Sequence, residues 1–567
     1  MDTSTTTAPA INARTTTASV GALDDIDENS MRMAKVGEHR VAVIRTASGV
    51  HAIDNACPHQ GYGLVTGALE GDLVTCQWHN WKYDVTTGHC VMGEEDVACH
   101  AVDVRDGEVF VTVVEPSAEE QQATLWPSLR RGLANNYMGQ VSRDTVRLLH
   151  NGATADEIMW EGFRFGIPRD EYGPGHSMAM AVDCLHLANA RTGDDQVLPL
   201  VQGLSGLAET ALGNEEIDIA VVEPTLPLQQ AVEAEQIEAS MAAARALSAG
   251  GDISAARRAF IEVASAHHLD YGHGMIYTQK AFEILERTSF SNAIDLLPEL
   301  AAGLAWGTRE DLLPYMRKAM DQFGKIDLDA LAASPAIRKP TTAEVDALLE
   351  ADEPPIAIAA AAVQDGLGIV GLLDALSLGS ARRLLRYDTS LEHDEAEPTG
   401  WLAITHALTT ARASRWAWEH HAGPETARQA LFATWLLHDS GRAERRHGAL
   451  PEPEFTNIPA ADGAQLDGAL VDRDGPTAMS LVRTMGPEAA APHLIGAALD
   501  DRSGAFIVLA HLIKLTQAAI EETESTGSDL PLLAATRFLA APRLERFVAR
   551  NVADSIDFVR TGKPPKR

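Results

Sequence analysis

Two short segments near the N-terminus constrain this chain more than any other feature of its sequence. They are CPHQG, residues 57–61, and CQWHNWKYD, residues 76–84, and each holds one cysteine followed closely by one histidine. A zinc finger of the two-cysteine, two-histidine kind places both cysteines before both histidines. Here each segment supplies one thiolate and one imidazole, so the fold must bring both segments to one metal site.

This alternation suits a two-iron, two-sulfide cluster, in which two thiolates bind one iron and two neutral imidazoles bind the other. The spacing Cys-X-His, sixteen residues, Cys-X2-His resembles the Rieske motif. The resemblance implies four cluster ligands: Cys57, His59, Cys76 and His79. Respiratory Rieske proteins carry an additional cysteine in each loop, whereas this chain has Gln60 or Gly61 and Gln77 there. It therefore resembles the ferredoxin and oxygenase branches, which implies a NAD(P)H-dependent ferredoxin reductase or a ferredoxin as electron donor.

The composition argues against several kinds of partner. Asp and Glu number 80 against 46 Lys and Arg, a formal net charge of −34. Such a surface repels phosphate groups, so we expect no nucleic-acid partner and no membrane partner. The most apolar run begins at Pro354 and is interrupted by Gln364, Asp365 and Asp374, which favours a buried helix over a membrane span.

The N-terminal tail and the remaining cysteines bear on the cellular compartment of the protein. Residues 1–22 are rich in Thr and Ala and lack the basic start and apolar core of a signal peptide, so we expect a disordered tail. Three cysteines lie outside the motif, at Cys90, Cys99 and Cys184. Their odd number indicates reduced thiols and a cytoplasmic protein. The sequence leaves the oligomeric state open, a homo-oligomer included.

Residues 23–116 have the pattern of an all-β domain. HRVAVIRT and VHAIDNA are short, rich in β-branched residues and joined by a turn at residues 47–49. AVDVR and EVFVTVV flank Asp106-Gly107, a strong two-residue hairpin signal. With the two cysteine–histidine loops, these segments predict a Rieske [2Fe-2S] domain over residues 23–116.

From residue 117 to residue 567 the apolar residues recur with a helical period near 3.6 and no longer alternate with polar ones. This pattern predicts a large all-α domain. The predicted fold class is therefore α+β multidomain, with an N-terminal all-β Rieske domain followed by an all-α domain of helical hairpin repeats. The catalytic half of ring-hydroxylating Rieske oxygenases carries Asp-X2-His-X4-His. His268-X4-His273 matches part of that motif, but Ser265 stands at the place of the Asp, so this resemblance stops at the N-terminal fifth of the chain.

Four predicted helices share a small residue, a histidine and then an apolar stripe. The histidines are His176, His273, His406 and His511. Each is followed roughly twenty residues later by another apolar helix, which predicts a diverged helical-hairpin repeat. Asp183-X2-His186 and Asp270-X2-His273 place an acid and an imidazole on one helical face.

Helical bundles build iron sites from carboxylates and histidines on facing helices. We therefore predict a catalytic site, with additional non-haem iron, from seven residues: His176, Asp183, His186, Asp270, His273, His406 and His511. In the alternative interpretation, these histidines bond helix carbonyls and serve packing alone.

The helix starts and the segment LLHNGATADEI also resemble questin oxidase-like proteins, which implies an aromatic or polycyclic substrate. The combined prediction is a monooxygenase-type oxidoreductase, in which the cluster delivers electrons to a site that oxidises a small organic molecule with O2. The alternative function is a non-catalytic Rieske electron carrier whose helical domain docks a separate oxygenase.

Overall fold

This computed structural model describes residues 14–217, 223–335, 338–393, 397, 400–456, 458–500, 505–542, 552, 555–556 and 559–561. The chain divides into two compact units. The N-terminal unit comprises residues 1–132 and 137–154, and the C-terminal unit comprises residues 133–136 and 155–567.

The N-terminal unit contains the strands of the fold. They are β1 Arg14–Ala22, β2 Ser30–Val36, β3 His39–Thr46, β4 Gly49–Asp54, β5 Ala68–Glu70, β6 Leu73–Thr75, β7 Lys82–Asp84, β8 Cys90–Met92, β9 Cys99–Arg105 and β10 Glu108–Glu115. Six form an antiparallel sheet in the order β1-β10-β9-β4-β3-β2, and β5 to β8 form a second, four-stranded sheet. Asp106 and Gly107 have φ of +51° and +79°, as the predicted turn between β9 and β10 requires.

The prediction of a disordered tail over residues 1–22 is wrong for its second half. Arg14–Ala22 forms β1, which pairs antiparallel with β10 along its length. The Thr-rich sequence RTTTASV satisfies its backbone groups at this sheet edge, and β-branched threonine favours extended backbone. Residues 1–13 lie outside the described residues.

The helices follow the sheet. They are α1 Ala118–Ala134, α2 Met138–His150, α3 Ala155–Gly166, α4 His176–Asn189, α5 Val197–Ala211, α6 Leu228–Glu233, α7 Ile237–Gly250, α8 Ile253–Ala264, α9 His273–Arg287, α10 Leu297–Trp306, α11 Arg317–Phe323, α12 Leu328–Ala332, α13 Thr342–Leu349, α14 Ile356–Ala362, α15 Gly368–Arg386, α16 Trp401–His420, α17 Pro424–Asp439, α18 Arg442–His447, α19 Gly463–Val471, α20 Gly475–Met485, α21 Pro487–Leu499, α22 Phe506–Thr526 and α23 Leu530–Ala540. A β-sheet domain followed by a large helical region is the predicted fold class, which is confirmed.

The boundary between the units differs from the predicted one. The sheet ends at Glu115, next to the predicted boundary at residue 116. However, α2 and all but the end of α1 belong to the N-terminal unit. The point where the apolar residues change from alternating spacing to helical spacing therefore marks the end of the sheet. It does not mark the end of the compact N-terminal unit.

The four histidine-bearing helices are neighbours in the C-terminal unit. Helix α4 contacts α9 and α22, and α16 contacts the same two helices, so the four close into a ring. The predicted hairpins form in three cases, because α4 packs on α5, α16 on α17 and α22 on α23. The fourth differs, since α10 packs mainly on α7 and only lightly on α9.

The apolar segment Ile356–Arg386 is long and apolar enough to cross a membrane, by length and composition only. It is not one regular helix, because a π-helical turn at Val363–Leu367 breaks it and Asp365 and Gly366 leave helical geometry. Its second part, α15, packs on α16, α17 and α23, and most of its residues are buried. Within the protein, α15 is therefore a core helix.

Candidate functional site

The two cysteine–histidine loops sit at one end of the small sheet. The first loop lies between β4 and β5, and the second connects β6 to β7. Backbone bonds shape both loops, because the Cys57 amide donates to the Tyr62 carbonyl at 2.9 Å and the Cys76 amide donates to the Trp81 carbonyl at 2.8 Å. Gly61 has φ of +78°, in the left-handed region where a side chain would be strained.

The loops place thiols inside and imidazoles outside. Cys57 and Cys76 are 2 % and 3 % exposed and belong to one core cluster. His59 is half-buried and His79 is exposed, and their rings approach to 4.4 Å between centroids. Two buried thiols and two outer imidazoles are the donor set of a cluster with one thiolate-bound and one histidine-bound iron, so these residues fit it.

Neighbouring aromatic side chains contact two of the four predicted ligands. The Tyr83 hydroxyl lies 3.2 Å from Cys57 Sγ, and the Trp81 ring stacks on His59 at 4.6 Å between centroids. Burial raises the pKa of the Cys57 thiol, so the thiolate needs a bound cation to be stable there. Burial, His79 and Arg143 lower the pKa of His59, which keeps this imidazole in the neutral form that binds iron.

In the C-terminal unit, the structure brings together the four histidines that head the predicted repeats. His273 Nε2 lies 3.1 Å from His176 Nε2 and 2.8 Å from His406 Nε2. The donor atoms of these three histidines all lie within 4.8 Å of one another. The ring of His511 completes the group, 4.9 Å between centroids from both His176 and His406.

Two of the four histidines do not begin their helices as predicted. His176 and His273 are the first residues of α4 and α9, whereas His406 and His511 lie in the second turns of α16 and α22. Only His176 and His273 therefore fit the predicted pattern of a helix start. The other two histidines lie inside their helices, where a ring can bond the carbonyl four residues earlier.

Backbone carbonyls fix the orientation of three of the imidazoles. Nδ1 of His406 donates to the Leu402 carbonyl and Nδ1 of His511 donates to the Ile507 carbonyl, both at 2.7 Å. Nδ1 of His273 donates to the Asp270 carbonyl. Because Nδ1 carries the proton in these rings, each Nε2 is left with a lone pair, and those of His273 and His406 face each other.

This arrangement leaves lone pairs facing one another. His273 and His406 both keep their protons on Nδ1, yet their Nε2 atoms are only 2.8 Å apart. Two nitrogens that bind one ion at about 2.1 Å lie about 3 Å apart when adjacent. Nε2 of His511 is buried and has no hydrogen-bond partner among the described residues. The donor set and spacing therefore fit a metal ion better than four uncharged rings.

The electrostatics also keep these histidines neutral. Burial lowers the pKa of His406 to about 3, with Lys514 as the next cause. Burial likewise lowers the pKa of His176, His273 and His511 well below the ordinary value. Lys514 is buried, and its own pKa falls to about 7 because of burial. A neutral imidazole is the form that binds a metal.

The remaining predicted site residues lie elsewhere. Asp183 is buried seven residues along α4, about 10 Å from its start, and accepts a bond from Lys280 at 2.7 Å. The prediction for His186 is wrong in its geometry, because this residue is exposed about 15 Å along α4. The Asp270 carboxylate accepts a hydrogen bond from the Thr308 amide at 2.7 Å. It is the backbone carbonyl of Asp270, and not its carboxylate, that bonds the His273 ring.

Sequence reasoning missed two neighbours of the histidines. The Tyr277 hydroxyl lies 3.0 Å from His176 Nδ1, and the Tyr277 ring stacks on His273 at 5.1 Å between centroids. Lys514 lowers the pKa of all four histidines. Spacing gives only a partial signal for them: Tyr277 is four residues after His273 and Lys514 three after His511, which places each on the same helical face as a histidine but does not show that the face is buried.

Comparison with known proteins concerns the N-terminal unit. The family model of the Rieske [2Fe-2S] domain matches residues 16–110. The ferredoxin component of the alkene monooxygenase system of Xanthobacter autotrophicus is 39 % identical over 70 residues, which are 12 % of this chain and 57 % of that ferredoxin. The chain thus spans little more than half of that relative.

Two further ferredoxins are matched over most of their length. The ferredoxin component of the p-cumate 2,3-dioxygenase system of Pseudomonas putida is 33 % identical over 96 residues, 16 % of this chain and 81 % of that protein. The ferredoxin component of the naphthalene 1,2-dioxygenase/salicylate 5-hydroxylase systems of Ralstonia sp is 30 % identical over 91 residues, 16 % of this chain and 88 % of that protein. Through its N-terminal unit, with paired thiols and imidazoles on two loops, the chain belongs to the Rieske [2Fe-2S] family.

Proposed function

We propose that the protein is an oxidoreductase with two redox sites. The Rieske cluster receives electrons and passes them to a non-haem iron bound by His176, His273 and His406, with His511 as a fourth ligand. The substrate is a small organic molecule that is oxidised with O2, and the questin oxidase-like resemblance favours an aromatic one. The electron donor is a NAD(P)H-dependent ferredoxin reductase or a ferredoxin, and the location is cytoplasmic. The oligomeric state is left open, and assembly of this protein into a homo-oligomer remains a prediction.

One observation carries this proposal. Three imidazole nitrogens from helices far apart in sequence lie within 4.8 Å of one another, with the other ring nitrogens of His273 and His406 held by backbone carbonyls. Histidines that serve packing alone would have their ring nitrogens satisfied separately, by carbonyls or water. A shared centre of lone pairs, about 3 Å apart, is what a metal ion would stabilise.

Iron held by histidines activates O2 when electrons are supplied, and the protein's own residues set the conditions for that chemistry. The carbonyls of Leu402, Ile507 and Asp270 hold three rings in one tautomer. The Tyr277 hydroxyl orients the His176 ring through Nδ1. Lys514, with a pKa near 7, can hold or release a proton at Nζ close to neutral pH.

An anaerobic titration with Fe(II) tests the proposal directly. In protein freed of loosely bound metal, we expect one tight site beyond the cluster, which is lost in His273→Ala and His406→Ala. His186→Ala is the matched control, because His186 is exposed on the same helix as His176 and should keep the tight site. Equal Fe(II) binding in His273→Ala and the unmodified protein would reject the helical iron site.

The second candidate function is an electron carrier whose helical part docks a separate oxygenase. It is favoured by the relatives, which are named as ferredoxin components of oxygenase systems. This candidate predicts that His273→Ala still passes electrons from a reductase to an added acceptor at the normal rate. It also predicts that no O2 is consumed beyond the slow reoxidation of the cluster, whatever organic substrate is added.

A further inference from the structure

We propose that Arg143 on α2 sets the redox potential of the Rieske cluster, so that this helix belongs to the redox unit functionally. Arg143 lies beyond residues 16–110, the part of the chain that matches the Rieske domain. It is nevertheless part of the same compact unit as the two ligand loops. The inference is independent of the helical iron site proposed above.

Arg143 bonds directly to a ligand loop. Its Nη1 donates to the backbone carbonyl of His59 at 2.8 Å. The side chain of Arg143 is 23 % exposed, so solvent screens it only in part. A guanidinium is always protonated, and this bond therefore holds a permanent positive charge beside a cluster ligand.

The same guanidinium also bonds a second loop, through Glu95. Arg143 Nε and Nη2 donate to Glu95 Oε2 at 3.3 and 3.0 Å, and Arg147 donates to the other carboxylate oxygen. The Glu95 side chain is only 12 % exposed. Arg143 thus joins the His59 loop to residues 93–96 by charge-assisted bonds.

The 93–96 segment in turn supports the aromatic ring behind His59. A Cβ on Gly93 would lie 2.6 Å from the Trp81 ring, so this backbone packs directly against Trp81. Trp81 stacks on His59 at 4.6 Å between ring centroids. The His59 loop is therefore held by Trp81 at the His59 ring and by Arg143 at the His59 backbone carbonyl.

The sign of the electrostatic effect follows from the reaction. Reduction adds one electron to the cluster and makes it more negative. A nearby cation stabilises the reduced form and raises the potential, whereas a nearby anion lowers it. Arg143 and Glu95 act in opposite directions, and Arg143 is the one bonded to the ligand loop. Removing either charge should therefore shift the potential with opposite sign.

A potentiometric titration of the full chain, followed by the EPR signal of the reduced cluster, tests this inference. We expect Arg143→Gln to lower the potential and Glu95→Gln to raise it. Arg143→Lys keeps the charge and should restore most of the loss. Arg147→Gln should give a smaller decrease than Arg143→Gln, because Arg147 bonds Glu95 but makes no bond to the His59 loop among the described residues.

Arg105→Gln is the matched control. Arg105 is 66 % exposed and pairs with Asp103 in the same unit, so its loss removes an equal charge without touching a ligand loop. The redox potential of the cluster in Arg105→Gln should equal that of the unmodified protein. Shifts of the same sign in Arg143→Gln and Glu95→Gln would indicate a structural clamp only and overturn the proposal. Unchanged potentials in both variants with intact EPR signals would also overturn it.

Discussion

The two cysteine–histidine loops carry all four predicted cluster ligands within residues 57–79, whereas the histidine group draws on four helices between residues 176 and 511. In the loops, hairpins bring the ligands together and backbone bonds within each loop shape them. In the helices, each imidazole is oriented locally but meets the others only through packing of the whole unit. A local site needs little more than its own turns to form, while a dispersed site exists only when the complete unit is folded.

The largest expected effect separates the two sites. Cys57→Ser removes one of two thiolates that hold the same iron, so the cluster should not assemble. We expect acid-labile sulfide and the reduced-state EPR signal to be abolished, while the unit with the four histidines still binds Fe(II). Cys99→Ser is the control, because Cys99 is an exposed thiol of β9 and should leave the cluster intact. Loss of Fe(II) binding in Cys57→Ser would show that the two sites depend on one another.

A second test uses the packing on which the dispersed site depends. Asp183 on α4 pairs with buried Lys280 on α9, two of the helices that carry the histidines. Asp183→Ala leaves Lys280 with the partly exposed Glu283 as its remaining ion-pair partner among the described residues, so we expect a loss of about 3 kcal/mol in the free energy of unfolding.

The control for Asp183→Ala is Asp156→Ala. Asp156 pairs with Arg287, also on α9, but this pair is about one third exposed and its loss should cost less than about 1 kcal/mol. Denaturant unfolding followed by far-UV circular dichroism measures both variants. Equal losses in the two variants would contradict the role given to the buried pair.

Acid should weaken the helical unit through a buried histidine that is not part of the site. Burial lowers the pKa of His438 to about 4, with Arg445 and Arg383 as further causes. The unfolded chain therefore binds more protons than the folded one between about pH 6.5 and pH 4, and stability falls as the pH falls through this window. At pH 5 the loss from His438 is about 2 kcal/mol.

His438→Gln removes this proton uptake. The difference in unfolding free energy between pH 7 and pH 5 should be smaller in His438→Gln than in the unmodified protein, by about 2 kcal/mol. Denaturant titrations at the two pH values measure it. An unchanged difference would mean that His438 titrates alike in both states.

The smallest effect concerns the orientation of one imidazole. Tyr277→Phe removes the hydroxyl that bonds His176 Nδ1, so the ring loses its fixed orientation but stays in place. We expect about tenfold weaker Fe(II) binding, typical of losing such a partner. Tyr387→Phe is the control, because this buried hydroxyl donates to Glu392. Unchanged affinity in Tyr277→Phe would remove Tyr277 from the support of the site.

The contrast between local and dispersed sites also explains what could be predicted from the sequence. The cluster loops were visible because their spacing is fixed within a short segment, and β3, β4, β9 and β10 were visible from alternation and an Asp-Gly turn. β1 was missed because a Thr-rich segment has little apolar alternation, and its partner β10 lies almost a hundred residues away.

The helical site could be predicted only in part. A shared small-residue and histidine pattern singled out four histidines that the structure brings together. The prediction of the acids and His186 rests on spacing along one helix, which says nothing about which face meets the neighbouring helices. Lys514 and Tyr277 were missed because their role depends on burial by other helices, which no local pattern reports.

The measurement that tests the two-site account most directly is the ratio of iron to acid-labile sulfide in anaerobically prepared protein. A Rieske cluster alone contributes equal numbers of iron and sulfide. We predict about three irons for every two sulfides, which falls to about two for two in His273→Ala and stays at about three for two in His186→Ala. A ratio of one iron per sulfide in the unmodified protein, unchanged after Fe(II) is supplied anaerobically, would contradict the iron site among the helices.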